Sequence, residues 1–572
     1  MTSSPSPAHA PSLFAGPRAS VGWLLLSLSM LLLVAHSLCF NFVTDDAFIS
    51  FVYSRNLAQH GQLVFNLGER VEGYTNFLWT LIIAGGLRIG VPAELSSRVL
   101  GTLCGALGLV VAAWLFACLR QVRDADAPLP HDPATDAVGS LWACVPALTL
   151  ALIPGYACWS SGGLETQLFA LLLTGGCALY VVAGLPSPSV QPADRRLYLR
   201  AAGLCLGLSA LTRPEGYLFF ALLGAHLLLT RVVSKASSPR YLLDAAELQA
   251  VALFLALTLP HIAFRRLYYG DWVPNTFYVK SSGGSAAWGQ GAYYLFAFCR
   301  DLKLIVLPVL YVAGLAVRWP TDRARAYARI GGVTYLLSTV FLLYVASVGG
   351  DFMGLYRFVL PIVPLNVVCG ALGLYRLLAG RPRAVVAPVL LVGAALHIAN
   401  TIAIDRWALT FIDADRGIDT PGYLAHYARD RAAIGRWLGQ HVAPDDYQVV
   451  GGAGAQVYYA GIRALDSFGL CDAYVARKTP PRSTRPGHQK FAPLDYVLSR
   501  QPPPTILTYN VYRISGAPYR PSPGEAAEWR ARGFHFVSVQ IPGLSQPWYS
   551  FLKRIDRRLG PLPAATEENG DP

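Results

Sequence analysis

The chain is poor in charge. Only 14% of its 572 residues are Asp, Glu, Lys or Arg, against about 25% in a typical soluble protein. Methionine is scarce, with 3 residues. No CxxC pair occurs among the ten cysteines, so there is no zinc-ribbon or thioredoxin-like signal. No P-loop is present. With 53% hydrophobic residues and a mean hydropathy of +0.39, one water-soluble core would lack polar surface to cover it. These shortages exclude a disordered chain, a collagen-like chain and an ordinary cytosolic enzyme. They leave a polytopic membrane protein with a soluble portion. The net charge of +13 follows from cytoplasmic Lys and Arg under the positive-inside rule, and needs no nucleic-acid partner.

What is present is a series of long apolar runs. Residues 21–40 form the first, preceded by Arg18, and read as an uncleaved membrane helix. Further runs lie near 98–119, 139–157, 164–185, 200–212, 215–230, 247–264, 304–317, 330–348, 358–375 and 384–404. The expectation is therefore about eleven transmembrane helices. Thr212-Arg213-Pro214-Glu215 interrupts one long run, so the pair around Arg213 is the weakest of them. The segment 77–87 is apolar but short, and Arg88 follows it. It reads as a juxtamembrane helix in the interface. Charge supports that choice. An inside N-terminus then puts Arg195, Arg196 and Arg200, Arg318, Arg323, Arg325 and Arg329, and Arg376, Arg381 and Arg383 in cytoplasmic loops.

This topology sorts the polar segments. The loops at 41–97, 158–163, 213–215, 265–303 and 349–357 fall outside, as does everything after about 405. The expected organisation is a disordered tail at 1–20, a membrane domain at 21–404, an extracytoplasmic α/β domain at 405–558 and a flexible tail at 559–572. In the α/β region, 447–450, 504–508 and 534–541 read as strands, and 429–440 as a helix with Ile434, Trp437 and Leu438 on one face. Gly451-Gly452-Ala453-Gly454 follows a strand but lacks a full dinucleotide fingerprint, and reads as a turn. Cys299 and Cys471 lie outside the apolar runs and read as two free thiols, a disulfide being the alternative.

The first outer loop opens with Thr44-Asp45-Asp46. One reading is helix capping, in which Thr44 is the N-cap and each acid gains ~0.3–1 kcal/mol from the helix dipole. That explains one acid better than two, because neighbouring like charges repel. The other reading is a general base beside an orienting or metal-binding partner. A divalent cation fits such hard oxygen ligands, but the sequence shows no complete ligand set, and no metal residue is assigned.

Nine further segments carry a resemblance. Arg55-Asn56-Leu57, Phe65-Asn66-x-Gly68-Glu69-Arg70-Val71-Glu72 and Thr75 follow the acid pair. Later come Ser161-Gly162-Gly163-Leu164-Glu165-Thr166, Leu211-Thr212-Arg213-Pro214-Glu215-Gly216 and Pro274-Asn275-Thr276-x-x-x-Lys280. Gly349-Gly350-Asp351-Phe352-Met353-x-x-x-Arg357, Gly469-Leu470-x-Asp472 and Gly487-His488-x-Lys490 complete the set. In this order, over residues 40–490, they resemble polyprenyl-phosphate-sugar-dependent membrane glycosyltransferases of the GT-C class. The nearest family is the mycobacterial terminal β-(1→2)-arabinofuranosyltransferase type.

The resemblance implies a helical membrane bundle with outer juxtamembrane helices and a soluble C-terminal α/β domain. It implies transfer of a sugar from a polyprenyl phosphate to an acceptor hydroxyl, with Asp45 or Asp46 as the catalytic residue. The acceptor would be a polysaccharide, lipopolysaccharide or protein, and no nucleotide site is needed. A leaving phosphate calls for cations near the membrane plane. Lys280, Arg357, Arg70 and Arg213 are the candidates, headgroup contact or snorkelling being the alternative for each. Glu72, Asn275, Asp351, Glu165, His488 and Lys490 are candidates for the sugar or the acceptor. Glu165 has a second reading as a helix cap, and His488 and Lys490 as surface groups. A lipid-linked sugar transporter would instead place charges at midplane in repeated halves. A non-catalytic scaffold would leave the acid pair unexplained.

Overall fold

The computed structural model describes residues 13–14, 19–122, 141–186, 190–233, 243–280, 284–318, 321–483, 485, 487–508, 513–557 and 566–567. The tails expected at 1–20 and 559–572 lie largely outside this set.

Among the described residues, eight helices are long and apolar enough to cross a membrane, or nine if one bent pair is a single span. The chain is a multi-pass helical membrane protein with a C-terminal α/β region. Four N-terminal helices set the frame: α1 (Ala19–Phe40), α2 (Asp45–His60), α3 (Phe77–Arg88) and α4 (Ala93–Arg120). In α1 the buried stripe is Leu26, Ser29, Leu33, His36, Ser37 and Phe40, at helical spacing. Leu24, Leu28, Leu31 and Leu38 are exposed on its other side, as a lipid-facing helix requires. The helix α3 has 12 residues and is about 18 Å long. It is too short to cross ~30 Å of hydrocarbon, as the sequence reading holds.

The eleven expected spans are not all long, straight helices. The run at 139–157 contains two helices, Cys144–Ala151 and Pro154–Ser161, bent by 70°. Pro154 is the cause. It disfavours helical backbone at the residue before it, and Ile153 is extended at φ −78°, ψ 116°. The run at 304–317 yields only Val306–Leu315, 10 residues. The run at 200–212 is the second half of Pro192–Thr212, whose first half carries Asp194, Arg195, Arg196 and Arg200. It therefore falls outside the apolar set.

The bent pair packs against α4 through small residues. A Cβ at Gly101 would lie 2.4 Å from the Ser160 carbonyl oxygen, and one at Gly108 2.3 Å from the Tyr156 hydroxyl. Tyr156 Oη donates to the Gly105 carbonyl at 2.9 Å. Close helix approach through glycine is the usual means of packing where lipid offers no hydrophobic drive. It fixes the end of Pro154–Ser161, and so the Gly162-Gly163-Leu164-Glu165 segment that follows.

The C-terminal region begins with a two-stranded hairpin of β1 (Ala414–Asp415) and β2 (Ile418–Asp419). The helix Pro421–His441 follows. Thr420 caps it, with Oγ1 accepting from Tyr423 N at 3.2 Å, and Pro421 stands at its first turn. The main sheet comprises β3 (Tyr447–Val450), β4 (Arg463–Asp466), β5 (Ile506–Leu507), β6 (Arg513–Ser515), β7 (Phe534–Gln540), β8 (Trp548–Arg554) and β9 (Thr566–Glu567). Its order is β4-β3-β5-β8-β7-β9, with β6 also on β8. Strands β4, β3 and β5 run parallel, and β5, β8 and β7 antiparallel. Ile434, Trp437 and Leu438 form one buried cluster with Val537 and Phe551, so the helix read from the sequence covers the sheet with the face expected. All ten cysteines are free, and Cys471 is buried.

The α4 contact yields a stability test. Gly101→Val forces a side chain into the Ser160 backbone, and overpacking of this kind costs about 1–3 kcal/mol or more. Gly85→Ala meets open space and gains helix propensity, by up to about 1 kcal/mol. Thermal unfolding in detergent is expected to fall for Gly101→Val and hold or rise for Gly85→Ala. Equal shifts would refute the packing argument.

Candidate functional site

The start of α2 is where the separated motifs meet. Thr44 N donates to the Gly162 carbonyl at 3.1 Å. Gly163 has φ +88°, and a Cβ there would lie 2.5 Å from Val43, so only glycine suits the contact. Trp79 Nε1 closes the same turn on the Gly163 carbonyl at 3.2 Å. Thr44 holds the N-cap position, but its side chain makes no capping bond. Asp45 and Asp46 fill the first turn.

The Asp45 carboxylate leaves its own helix. Its Oδ1 accepts from Ala455 N at 2.8 Å, at the head of the short helix Ala455–Ala460. The preceding Gly451–Gly454 segment is a turn, as expected, and its glycines admit the aspartate. A Cβ at Gly454 would lie 1.9 Å from the Asp45 carbonyl oxygen, and one at Gly452 3.2 Å from Asp45 Oδ2. Asp45 is only 6% exposed. Burial pushes its carboxyl above the ordinary range, opposed by the Ala455 amide, the Arg431 charge and the Gly454 amide. Asp46 is half-buried, and its charge reaches Cys471.

A second cluster surrounds Glu165. One oxygen accepts from Asn76 Nδ2 at 2.9 Å. The other accepts from Arg213 at 2.8 Å and faces Arg357 at 3.8 Å. Asn76 is itself held by Ser50 Oγ of α2 at 3.0 Å. Arg213 adds a bidentate pair with Glu215, at 2.9 and 3.2 Å, and Arg357 binds Asp351 at 3.1 Å. Arg213 reaches this point because Pro214 forces it out of the helix, at φ −152°, ψ 142°. Its ring neighbours are Phe358 and Phe169, and that of Arg357 is Trp159. Glu165 stands at an N-cap position without capping, so its side chain is given to this network. Two guanidinium groups here face three carboxylates and are already neutralised.

A third cluster joins the first loop to the tail. Glu72 binds Arg265 through two bonds, at 2.6 and 3.1 Å. Asn275 N donates to the Glu72 carbonyl at 2.9 Å. Asn275 Nδ2 reaches the carbonyls of Gly469 at 2.9 Å and Leu470 at 3.0 Å. Asn275 Oδ1 is buried with no hydrogen-bond partner. Lys280 closes the helix Asn275–Lys280. Arg70 is exposed and lies over the Tyr268 ring at 4.8 Å.

The fourth cluster is at Phe352. Its carbonyl accepts from Asp419 N at 2.7 Å. Asp419 Oδ2 meets Arg485 at 2.6 Å, while Oδ1 is buried and unpartnered. Burial raises Asp419 to about 6, against the pull of Arg485 and with the help of Asp351. The His488 ring stands edge-on to Phe352 at 5.0 Å and Phe468 at 4.9 Å. Lys490 is buried and donates to the Ala476 carbonyl at 2.5 Å.

The structure thus gathers Asp45, Glu165, Arg213, Asp351 and Arg357 around α2 and its neighbours. It brings Glu72 and Asn275 to the same loop, and His488 to Phe352 beside Asp351. Lys490 serves the tail's own packing. Asp419, Arg431, Tyr427 and Arg485 join the site without having been singled out in the sequence. Asp419 and Arg485 are 66 positions apart, and Tyr427 and Arg431, neighbours on one helix, lie nearly 400 positions from Asp45, so no local pattern marks them. Among the described residues, no group of three or more His, Cys, Asp or Glu side chains is placed to hold a metal ion.

A family profile described as a domain of unknown function (DUF8728) matches residues 421–552. The terminal β-(1→2)-arabinofuranosyltransferase of Corynebacterium glutamicum is 29% identical over 356 residues, covering 57% of this chain and 48% of the relative. That of Mycobacterium tuberculosis is 27% identical over 336 residues, covering 54% of this chain and 49% of the relative. The chain therefore spans about half the length of these relatives. The crystal structure of ArnT from Cupriavidus metallidurans bound to undecaprenyl phosphate superposes with a TM-score of 0.51 at 15% identity. The alignment covers 79% of this chain and 86% of ArnT. The shared fold is the GT-C architecture.

The buried acids predict a pH response. Asp419 titrates at about 6 against an ordinary 3.8, and Asp466 is likewise raised to about 6 by burial. The folded chain holds these protons more tightly than the unfolded chain. The stability these two groups contribute is therefore present in full below about 4 and is lost as pH rises from about 4 to about 6. Asp419→Asn removes its share. The melting temperature of that variant is expected to fall less across the window than the parent's, and parallel profiles would contradict the assignment.

Proposed function

We propose that this chain is a membrane glycosyltransferase. In this reading it transfers a sugar, arabinofuranose, from a polyprenyl phosphate to an acceptor hydroxyl. The reaction takes place at the outer face of the cytoplasmic membrane, with the N-terminus inside and the C-terminal region outside. Residues 21–404 form the catalytic membrane domain and 405–558 the outer domain. The observation that carries the reading is the convergence on α2: the tail takes up the buried Asp45 at its first turn, and the Glu165, Arg213 and Arg357 network joins the same helix through Asn76 and Ser50. The similarity to terminal β-(1→2)-arabinofuranosyltransferases supports the sugar. The fold shared with ArnT, whose structure holds undecaprenyl phosphate, supports the lipid donor.

Asp45 is the general base. A raised proton affinity brings a carboxylate closer to the pH at which it must accept a proton. As the acceptor oxygen attacks the anomeric carbon, its proton passes to Asp45. The bond from that carbon to the phosphate oxygen breaks, and polyprenyl phosphate leaves. Asp46 orients the acceptor or the donor. Arg213 and Arg357 are committed to carboxylates, so in this reading they hold the frame. Lys280 and Arg70 meet the phosphate charge that grows in the transition state. Glu72, Asn275 Oδ1, Asp351 and His488 offer hydrogen bonds to sugar or acceptor hydroxyls. The acceptor is a polysaccharide, lipopolysaccharide or protein, arabinan being the first choice.

Purified protein in nanodiscs, given a panel of polyprenyl-phosphate sugars and assayed for free lipid phosphate, tests this directly. Asp45→Asn retains an oxygen for the Ala455 amide but removes the base, and is expected to lower turnover by about 10²–10⁴-fold. Full activity in both Asp45→Asn and Asp46→Asn would remove the base from the account. Lys280→Ala is expected to raise the apparent KM for the donor without lowering the melting temperature. An unchanged KM would remove Lys280 from the phosphate site.

A further inference from the structure

A groove of about 750 Å³ lies beside the helix Pro421–His441, which lines it with Gly422, Ala425, His426, Arg429 and Arg436 and not with Tyr427 or Arg431. It is built at the ends of three apolar helices. Phe40 is the last residue of α1, Leu95 and Arg98 belong to the first turns of α4, and Leu409 lies in the last turn of Arg383–Thr410. These helices are long and apolar enough to cross a membrane. The groove therefore sits at the depth of lipid headgroups.

Its charge is one-sided. Arg98, Arg429 and Arg436 line it, together with His426. Arg429 and Arg436 are exposed. Arg436 lies over the Tyr459 ring at 4.0 Å, and Arg429 donates to His426 Nδ1 at 2.8 Å. Arg98 gives one bond to Asn41 Oδ1 at 2.9 Å, while its Nε is buried without a partner. The acid lining the groove is Glu94, and the Tyr459 hydroxyl donates to it. Three guanidinium groups thus face one carboxylate.

Below the groove runs an apolar track. Leu95, Val99 and Leu103 follow each other at one-turn spacing on α4 and are 53%, 54% and 50% exposed. Such a strip, leading from clustered arginines into the span of a membrane helix, matches one headgroup and one acyl chain. We propose that this groove binds an anionic phospholipid of the surrounding leaflet. Its phosphate pairs with Arg98, Arg429 and Arg436, and its chain lies along Leu95, Val99 and Leu103. The lipid would pin the helix Pro421–His441 to the ends of α1 and α4. The inference requires only that these helices span a bilayer, and stands apart from the glycosyl-transfer reading.

Native mass spectrometry of the full chain in detergent, titrated with dioleoyl-phosphatidylglycerol or dioleoyl-phosphatidylcholine, tests it. The parent is expected to retain phosphatidylglycerol in preference to phosphatidylcholine. Each arginine near a lipid surface is worth about a few-fold in affinity. The Arg98→Gln/Arg429→Gln/Arg436→Gln variant is therefore expected to lose retention by at least about tenfold. Arg429→Gln/Arg436→Gln, confined to exposed side chains, is expected to show a smaller loss in the same direction with an unchanged melting temperature. Equal retention of the two lipids, or an undiminished affinity in the double variant, would overturn the proposal. So would an equal loss on neutralising Arg520, Arg530 and Arg532 in the tail. Displacement of the lipid by dilute inorganic phosphate would point to a soluble anion instead, and would also overturn it.

Discussion

A buried carboxylate, Glu165, holds the site together. It is 3% exposed and accepts from Asn76, pairs with Arg213 and faces Arg357. Those three residues come from the loop after α2, from the break between Pro192–Thr212 and Glu215–Val233, and from the segment before another helix. A charge taken out of water must be paired and hydrogen-bonded or it is prohibitively costly. Glu165 therefore cannot stay buried unless all three segments arrive, and each arginine cannot stay buried without its acids. Mutual need of this kind turns scattered sequence motifs into one rigid framework. It also accounts for the extended conformation of Arg213, which a continuous helix would carry away from Glu165.

The same electrostatics separates the cations into two sorts. Arg213, Arg265 and Arg357 are all bound to carboxylates inside the protein. A phosphate approaching them would have to compete with acids already in place. Arg70 lies exposed over an aromatic ring instead. A guanidinium on a ring face keeps its charge and leaves its edge N–H groups for a ligand. Position near a ligand is therefore a weaker criterion than electrostatic balance when phosphate contacts are sought. Asp45 illustrates the converse. Its acid partner in sequence, Asp46, stays half-buried, while Asp45 is taken into a turn that only glycine at 454 allows.

Much of this was legible in the sequence, because much of it is local. The apolar runs gave a multi-pass bundle. The acid pair gave the first turn of α2, and the short length of 77–87 gave a helix that does not cross. The helix over Ile434, Trp437 and Leu438 follows from periodicity alone. Two kinds of feature resisted. One is the shape of a run rather than its existence: Pro154 splits 139–157 with a 70° bend, and hydropathy averages across such a break. The other is the long-range polar contact. Asp419 and Arg485 are 66 positions apart, and Asp45 and Ala455 are 410 apart. Nothing near either residue announces its partner. The Gly451–Gly454 turn falls between these cases. Its conformation was readable, but the aspartate that occupies it was not.

The tail is best understood as a wall of the site. One helix, Pro421–His441, makes the case. Ile434, Trp437 and Leu438 cover the sheet. Tyr427 and Arg431 face Asp45: the Arg431 charge acts on the Asp45 carboxyl, the Asp45 charge acts on Tyr427, and Tyr427 touches the Gly452 turn. Gly422, Ala425, Arg429 and Arg436 line the groove at the ends of α1 and α4. A helix with three engaged faces has little freedom to move as a tethered appendage. Any motion that released its sheet contact would also withdraw Arg431 from Asp45 and shift the balance that sets that carboxyl's proton affinity. Folding of the α/β region and the chemistry available to α2 are thereby coupled through a single element.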